Sequence, residues 1–393
     1  MRKRAQLGAV FALMGAASAS LPATIPLRAN QLGIPIEQLM PAVPSLFFGL
    51  FLGIGLTPFI SKSLTTTNHV RISIAMQTLG VLGIGVLNSQ QLFIASSLII
   101  GLGFGQLEVL ITSIARVESA QVGNLLTRLG IYLAASAFLT PIAIIGFDLL
   151  EASHYINIAI AVVSIYVGGV FQTDQIYPQS KNFLVLKLAN RKVYLLLLTT
   201  AFYVGAETIL AGWSAVLFSE NISKNLVSAP LGTSIFWAGM TLGRVVGTFT
   251  SSKNFSTKAS AILWSSGLSL SLALLSQMNE GGSRGAFLFL LVLAIFFAGP
   301  CYGFIIGLAV SLYDEALAIK SATLFVLVGA LGGVLIPAIA QIFLGSESKD
   351  VTLGAAVAAA VAKLPAIKKD SDIQEWLWIL HDDCAPDRHA LAK

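Results

Sequence analysis

An all-α membrane protein, with twelve transmembrane helices arranged as two pseudo-symmetric six-helix bundles, is the fold class this sequence predicts. Three observations predict it. Of the 393 residues, 55% are hydrophobic and only 11% are charged, where a soluble domain carries about a quarter charged residues. Apolar runs recur along the chain at the length of about 18–25 residues that spans a bilayer core. When those runs are threaded alternately across a membrane, the basic residues fall overwhelmingly on one face.

The first six helices are read over 6–27, 39–61, 70–88, 91–115, 123–146 and 155–171. Helix one follows MRKR, and its Ala17-Ser18-Ala19 resembles a signal-peptide cleavage site. The charge pattern needs this segment to stay as a helix. Helix four carries GLGFG, and helix five, LLTRLGIYLAASAFLTPIAI, lacks a GPxxGG motif. The polar stretch QTDQIYPQSKNFLVLKLANRK, 172–192, is the longest linker inside the chain. The second six helices are read over 193–219, 229–251, 257–277, 285–312, 319–344 and 350–367, the last shortened by Lys363 and Pro365. The tail, 368–393, contains EWLWIL, which fits either a short interfacial helix or a frayed end.

With the N-terminus in the cytoplasm, only Arg28, Lys224, Arg284 and Lys349 face outward, leaving 20 of the 24 Lys and Arg inside. That asymmetry follows the positive-inside rule and sets both termini in the cytoplasm of a multi-pass protein in the cell's inner or plasma membrane. It also gives the basic pI near 9.2 a source other than nucleic-acid binding. Two cysteines, Cys301 and Cys384, build neither a disulfide framework nor a metal site. The four histidines fall outside the apolar runs as read, so neither a metal nor another cofactor is expected. The halves, 1–171 and 193–367, share a weak glycine pattern: Gly101, Gly103 and Gly105 in helix four, and Gly299, Gly303 and Gly307 in helix ten. Small residues let helices approach closely in lipid, and tight packing alone accounts for any one of these glycines.

Three ionisable residues lie well inside helices: Glu108 in helix four, Glu207 in helix seven and Arg244 in helix eight. Each costs at least a few kcal/mol at about mid-membrane depth, so each needs a protein partner or a water-filled cavity. No basic residue lies within ten positions of Glu207, so a partner on its own helix is excluded. A carboxyl group reached by cavity water can carry a proton; the bland reading is a permanently protonated acid bonded to a neighbouring helix. Residues three and four apart share a helix face. Thr200, Tyr203, Glu207, Ala211 and Ser214 therefore form one stripe of helix seven, and Gly101, Phe104, Glu108 and Thr112 one stripe of helix four. Gln106 lies about 160° from Glu108 on the helix and is expected to contact a neighbouring helix. Arg244 stands toward the cytoplasmic end of helix eight, where it can snorkel, bind helix-end carbonyls or latch a gate.

At the level of motifs the chain resembles the major facilitator superfamily, and more closely its fucose-permease-like group of sugar–proton symporters. The matching stretches are GLGFGQLEVL, YVGAETILAGW, FWAGMTLGRVVG, GPCYGFIIGLAVSLYDE and GALGGVLIPAIAQ. The resemblance extends to about residue 367. It implies that helices one, four, seven and ten line a central cavity, with Glu108 and Glu207 in proton coupling or hydroxyl binding. It implies a conformational latch at Arg244, to which Lys62 and Asp314 are assigned as well. Departures are visible too. Helix one carries no acid, with Pro22 where the group has Asp; Thr112 replaces an Asn; and ISKSLTTTNHVR keeps only Lys62 and Arg71 of the loop signature.

The expected function is secondary active transport of a small polar solute, a sugar, by alternating access with proton coupling, in a monomer surrounded by lipid. Phe104, Thr112, Thr200, Tyr203 and Tyr302 are the candidate solute ligands. Charged rings or filter loops of a channel are not found in the sequence, nor is the side-chain constellation of an enzyme. Two rivals stay open. An exporter of an amphipathic compound would line its cavity with aliphatic and aromatic groups, and a solute sensor could keep a transporter fold without moving its ligand.

Overall fold

The computed structural model describes residues 2–118, 122–148, 154–174, 191–223, 225–253, 257–278, 283–310, 315–344 and 348–367. Twelve α-helices lie among them: α1 Arg2–Leu32, α2 Ala42–Ile60, α3 Thr66–Val86, α4 Gln90–Glu118, α5 Val122–Asp148 and α6 His154–Val170, followed by α7 Arg191–Phe218, α8 Leu231–Lys253, α9 Thr257–Ser276, α10 Arg284–Val310, α11 Glu315–Leu344 and α12 Ser348–Ile367. Ten are long and apolar enough to cross a membrane; α6 and α12 contribute the shorter apolar stretches Tyr155–Val170 and Thr352–Ala362. Most of the 172–192 linker, Asp314 and the EWLWIL tail lie outside the described residues.

The helices fall into two bundles with one packing pattern. In the first, α1 packs on α5, α2 on α4, and α3 on α4 and α6; in the second, α7 packs on α11, α8 on α10, and α9 on α10 and α12. Adding six to each helix number turns the first set into the second. The contacts between bundles obey the same rule, since α2 meets α11 as α8 meets α5.

Glycines fix the register of this repeat. A Cβ on Gly53 of α2 would meet the Leu102 carbonyl and the Gly105 Cα, and one on Gly243 of α8 would meet the Phe296 carbonyl and the Gly299 Cα. Likewise Gly105 faces the Leu50 carbonyl and Ile54 amide, as Gly299 faces the Met240 carbonyl and Arg244 amide. Gly105 and Gly299 are therefore equivalent, and so are Ile54 and Arg244. Three residues further on, Glu108 is the counterpart of Tyr302; both stand 18 residues past the start of their helices.

Helix ends differ from the expectation in two informative places. The first helix runs on to Leu32 through Pro22 and Pro26. Proline is tolerated in membrane helices because neighbouring groups satisfy the freed carbonyls, and α1 is enclosed, with Leu21, Ile25 and Ala29 buried. The third helix starts at Thr66, capped by Thr65, whose hydroxyl accepts from the Asn68 amide at 3.3 Å. His69 thus lies inside an apolar helix and is fully buried, contrary to the reading that no histidine does. The Ser/Thr cap preceding it was the available signal.

The side at which α1 begins and α12 ends is the N-terminal face; the other is the far face. Contacts between bundles include the Leu50–Ile54–Ala330 cluster of α2 and α11 and several closer to the far face. Gly212 of α7 abuts Val43 of α2, Gly333 of α11 abuts Phe47 of α2, and Ser234 of α8 donates to the Phe138 carbonyl of α5 at 2.9 Å.

Candidate functional site

Near mid-depth, four helices bring charged and aromatic groups together. Glu207 of α7 and Arg244 of α8 form a loose ion pair, Arg244 Nη2 to Glu207 Oε1 4.0 Å, with side chains 22% and 44% exposed respectively. Arg244 also donates from Nε to the Gly299 carbonyl of α10 at 3.3 Å. The Gly243–Gly299 approach that brings α8 and α10 together puts that carbonyl within reach. The partner that Glu207 lacks along its own helix is therefore supplied by the next one.

The exposure of Arg244 is inward. Leu242, Val245, Val246 and Phe249 are the exposed apolar side chains of that stretch of α8, as a lipid-facing stripe requires. At 3.6 residues per turn Arg244 points about 150° away from their mean direction, on the side of the buried Met240. A guanidinium that is nearly half exposed yet faces away from lipid borders a cavity between the helices.

Tyr302 joins the two bundles electrostatically. It lies within range of the charges of Glu108 on α4, Glu207 on α7 and Arg244 on α8. Its ring stacks on Tyr203 at 6.4 Å between centroids, 28° between planes. Tyr203 is 1% exposed and donates its proton to the Ala298 carbonyl at 2.7 Å. It also lies beside Glu207. Cys301, buried on α10, is a further titratable group near Glu207.

Other expected site residues are placed as follows. Phe104 and Thr112, half-buried, flank Glu108 one turn to either side. Phe104 packs against the buried Leu50–Ile54–Ala330 cluster of α2 and α11. Thr200 does not share the cavity: it is fully buried, its hydroxyl donates to the Leu196 carbonyl at 2.7 Å, and its methyl faces Gly329 of α11. Lys62 is exposed at the N-terminal face, with Nζ 5.5 Å from the Phe59 ring centroid. Arg71 holds the Gly169 and Phe171 carbonyls at the end of α6.

A second polar cluster went unread in the sequence. His69 Nδ1 lies 3.0 Å from Ser61 Oγ, and His69 Nε2 lies 3.1 Å from Gln106 Oε1. Ser73 Oγ is 2.8 Å from the same Gln106 oxygen. All four residues are buried. Gln106 turns to a neighbouring helix as its angle from Glu108 required, and that helix is α3.

No family model matches the chain, and no curated protein matches it. Solved structures do. A D-xylose–proton symporter superposes with a TM-score of 0.74 at 14% identity, over 93% of this chain and 95% of that one. The nucleoside transporter NupG does so at 0.71 and 13%, over 93% and 98%. The E. coli fucose–proton symporter FucP, in a single-substitution variant, gives 0.64 and 16%, over 93% and 98%. Another FucP structure, described as a major facilitator superfamily transporter in the outward conformation, gives 0.65 and 16%, over 92% and 97%. At such identities the likeness establishes the fold: twelve helices in two six-helix bundles, the major facilitator architecture of multi-pass membrane proteins.

Proposed function

We propose that the protein is a secondary active transporter that carries a small polar solute, a sugar, across the membrane by alternating access coupled to protons. One observation carries this reading above the others. Acids from both bundles, Glu108 and Glu207, lie within Coulombic range of Tyr302, and Arg244 stands 4.0 Å from Glu207. Buried charge is kept inside a membrane where it serves a solute or ion path, and a site shared by two repeats is open to either face as they rock.

In this reading Glu207 exchanges a proton with cavity water while Arg244 balances its charge. Glu108 accepts from solute hydroxyls or takes up the coupled proton, and the Tyr302 ring supplies an apolar wall, with Phe104 and Thr112 extending the site along α4. The bundles 1–171 and 193–367 move about this point, joined by the 172–192 segment. Lys62 and Asp314 latch the N-terminal face, which is cytoplasmic, while Arg244, expected toward the end of α8, lies near its middle beside Glu207. An exporter of amphipathic compounds fits less well, because the groups that converge here are ionic and phenolic.

The test is proton movement in proteoliposomes holding a trapped pH dye. A panel of hexoses, pentoses and their acids is added one at a time. Acidification of the lumen with one member is expected, falling at least tenfold in Glu207→Gln or Glu108→Gln. Folded protein that moves no proton with any member, or flux indifferent to both substitutions, overturns proton-coupled sugar transport.

A further inference from the structure

We propose that Arg244 is the docking point for a carboxylate, so that the solute is a sugar acid, a polyhydroxylated monoanion such as a hexuronate, and not a neutral sugar. This rests on the reading of the cavity as a solute site and narrows its substrate class.

The first support is the donor count. A guanidinium has five N–H donors. Among the described residues, Arg244 directs one to the Gly299 carbonyl, and its nearest carboxylate oxygen, on Glu207, stands at 4.0 Å, outside hydrogen-bond length. The pair balances charge without using the fork of Nη donors, and that fork is planar and bidentate, the shape a carboxylate fits.

The second support is the repeat. At the equivalent place in the first bundle stands Ile54, fully buried against α4. An aliphatic side chain thus satisfies the same glycine-mediated packing, and the fold does not require a cation there. Arg244 turns toward the cavity, opposite the lipid-facing Leu242, Val245 and Phe249. The bond to the Gly299 carbonyl and the loose pairing with Glu207 leave the Nη fork for a ligand.

The surrounding groups set the rest of the class. Glu207 and Glu108 both act on the Tyr302 position, so a dianion such as a phosphate ester meets repulsion that a monoanion meets less. Glu108 offers acceptors for hydroxyl groups, and the half-buried Tyr302 offers a ring face. Carboxylate, hydroxyls and an apolar sugar face together describe a hexuronate or aldonate. When the solute carboxylate takes the Nη fork, Glu207 loses its counter-ion and a proton takes its place, so anion and proton travel together.

Equilibrium binding to the purified full-length protein in detergent, by calorimetry, tests the idea with a matched pair: a hexose and its hexuronate. The hexuronate is expected to bind at least tenfold more tightly. Arg244→Gln should bring the ratio of hexuronate to hexose affinity down to about one, Arg244→Lys should restore part of it, and Glu207→Gln should bind the hexuronate at least as well as the native protein. Equal binding of the pair, or a preference that survives Arg244→Gln, overturns the carboxylate site and leaves the sugar cavity standing. Binding of neither ligand by folded protein overturns the sugar cavity and this proposal with it.

Discussion

Single residues show both the reach of the sequence and its limit. Glu108, Glu207 and Arg244 were legible because charge is rare in such a chain, and a carboxylate inside an apolar run stands out at once. Their pairing was not. Glu207 and Arg244 lie on different helices, and only the packing of α7, α8 and α10 brings them to 4.0 Å. Thr200 shows the converse. Its spacing puts it on the stripe of Glu207, yet the close approach of α11 at Gly329 buries it. The His69–Gln106 cluster was hidden by a helix start placed four residues late, which moved a buried histidine into a loop. Its size can be measured. Gln106→Ala deprives His69 and Ser73 of a shared partner, and loss of a buried partner costs about 1–3 kcal/mol. Equilibrium unfolding in mixed micelles should register that loss, with Gln106→Glu milder than Gln106→Leu.

Among the elements, the glycine contacts turn a weak sequence pattern into a structural rule. GLGFG suggested tight packing of helix four but could not name the partner. The structure names α2: a Cβ on Gly101 runs into the Leu46 carbonyl, and one on Gly105 into the Leu50 carbonyl. A backbone oxygen cannot rotate aside, so the helices must separate. Gly101→Ala is expected to destabilise by about 1–3 kcal/mol or more, the range of overpacked sites, and to lower the yield of folded protein. Gly55→Ala, on the partner helix α2, is the control, because its Cβ would meet nothing within 4 Å; its melting temperature should match the native value. Equal losses at the two sites would contradict the packing described. Twelve helices were readable from hydropathy and charge, since lipid imposes length and composition on each one separately. Their partners were not, because packing in lipid depends on surface shape more than on composition.

For the whole molecule, the bundles touch on the far side of the site through Val43–Gly212, Phe47–Gly333 and Ser234–Phe138. On the proposed transport reading, these contacts part when the site opens to the far face. A disulfide can hold them. A Cβ on Gly212 would stand 3.2 Å from the Val43 Cβ, a few tenths of an ångström short of the about 3.5–4.5 Å of a disulfide. The direct measurement is therefore solute-driven proton influx in proteoliposomes carrying Val43→Cys with Gly212→Cys, in a background lacking Cys301 and Cys384. Influx is expected to vanish on oxidation and to return in full on adding a reductant. Influx that continues undiminished through a verified crosslink would contradict alternating access between the two bundles.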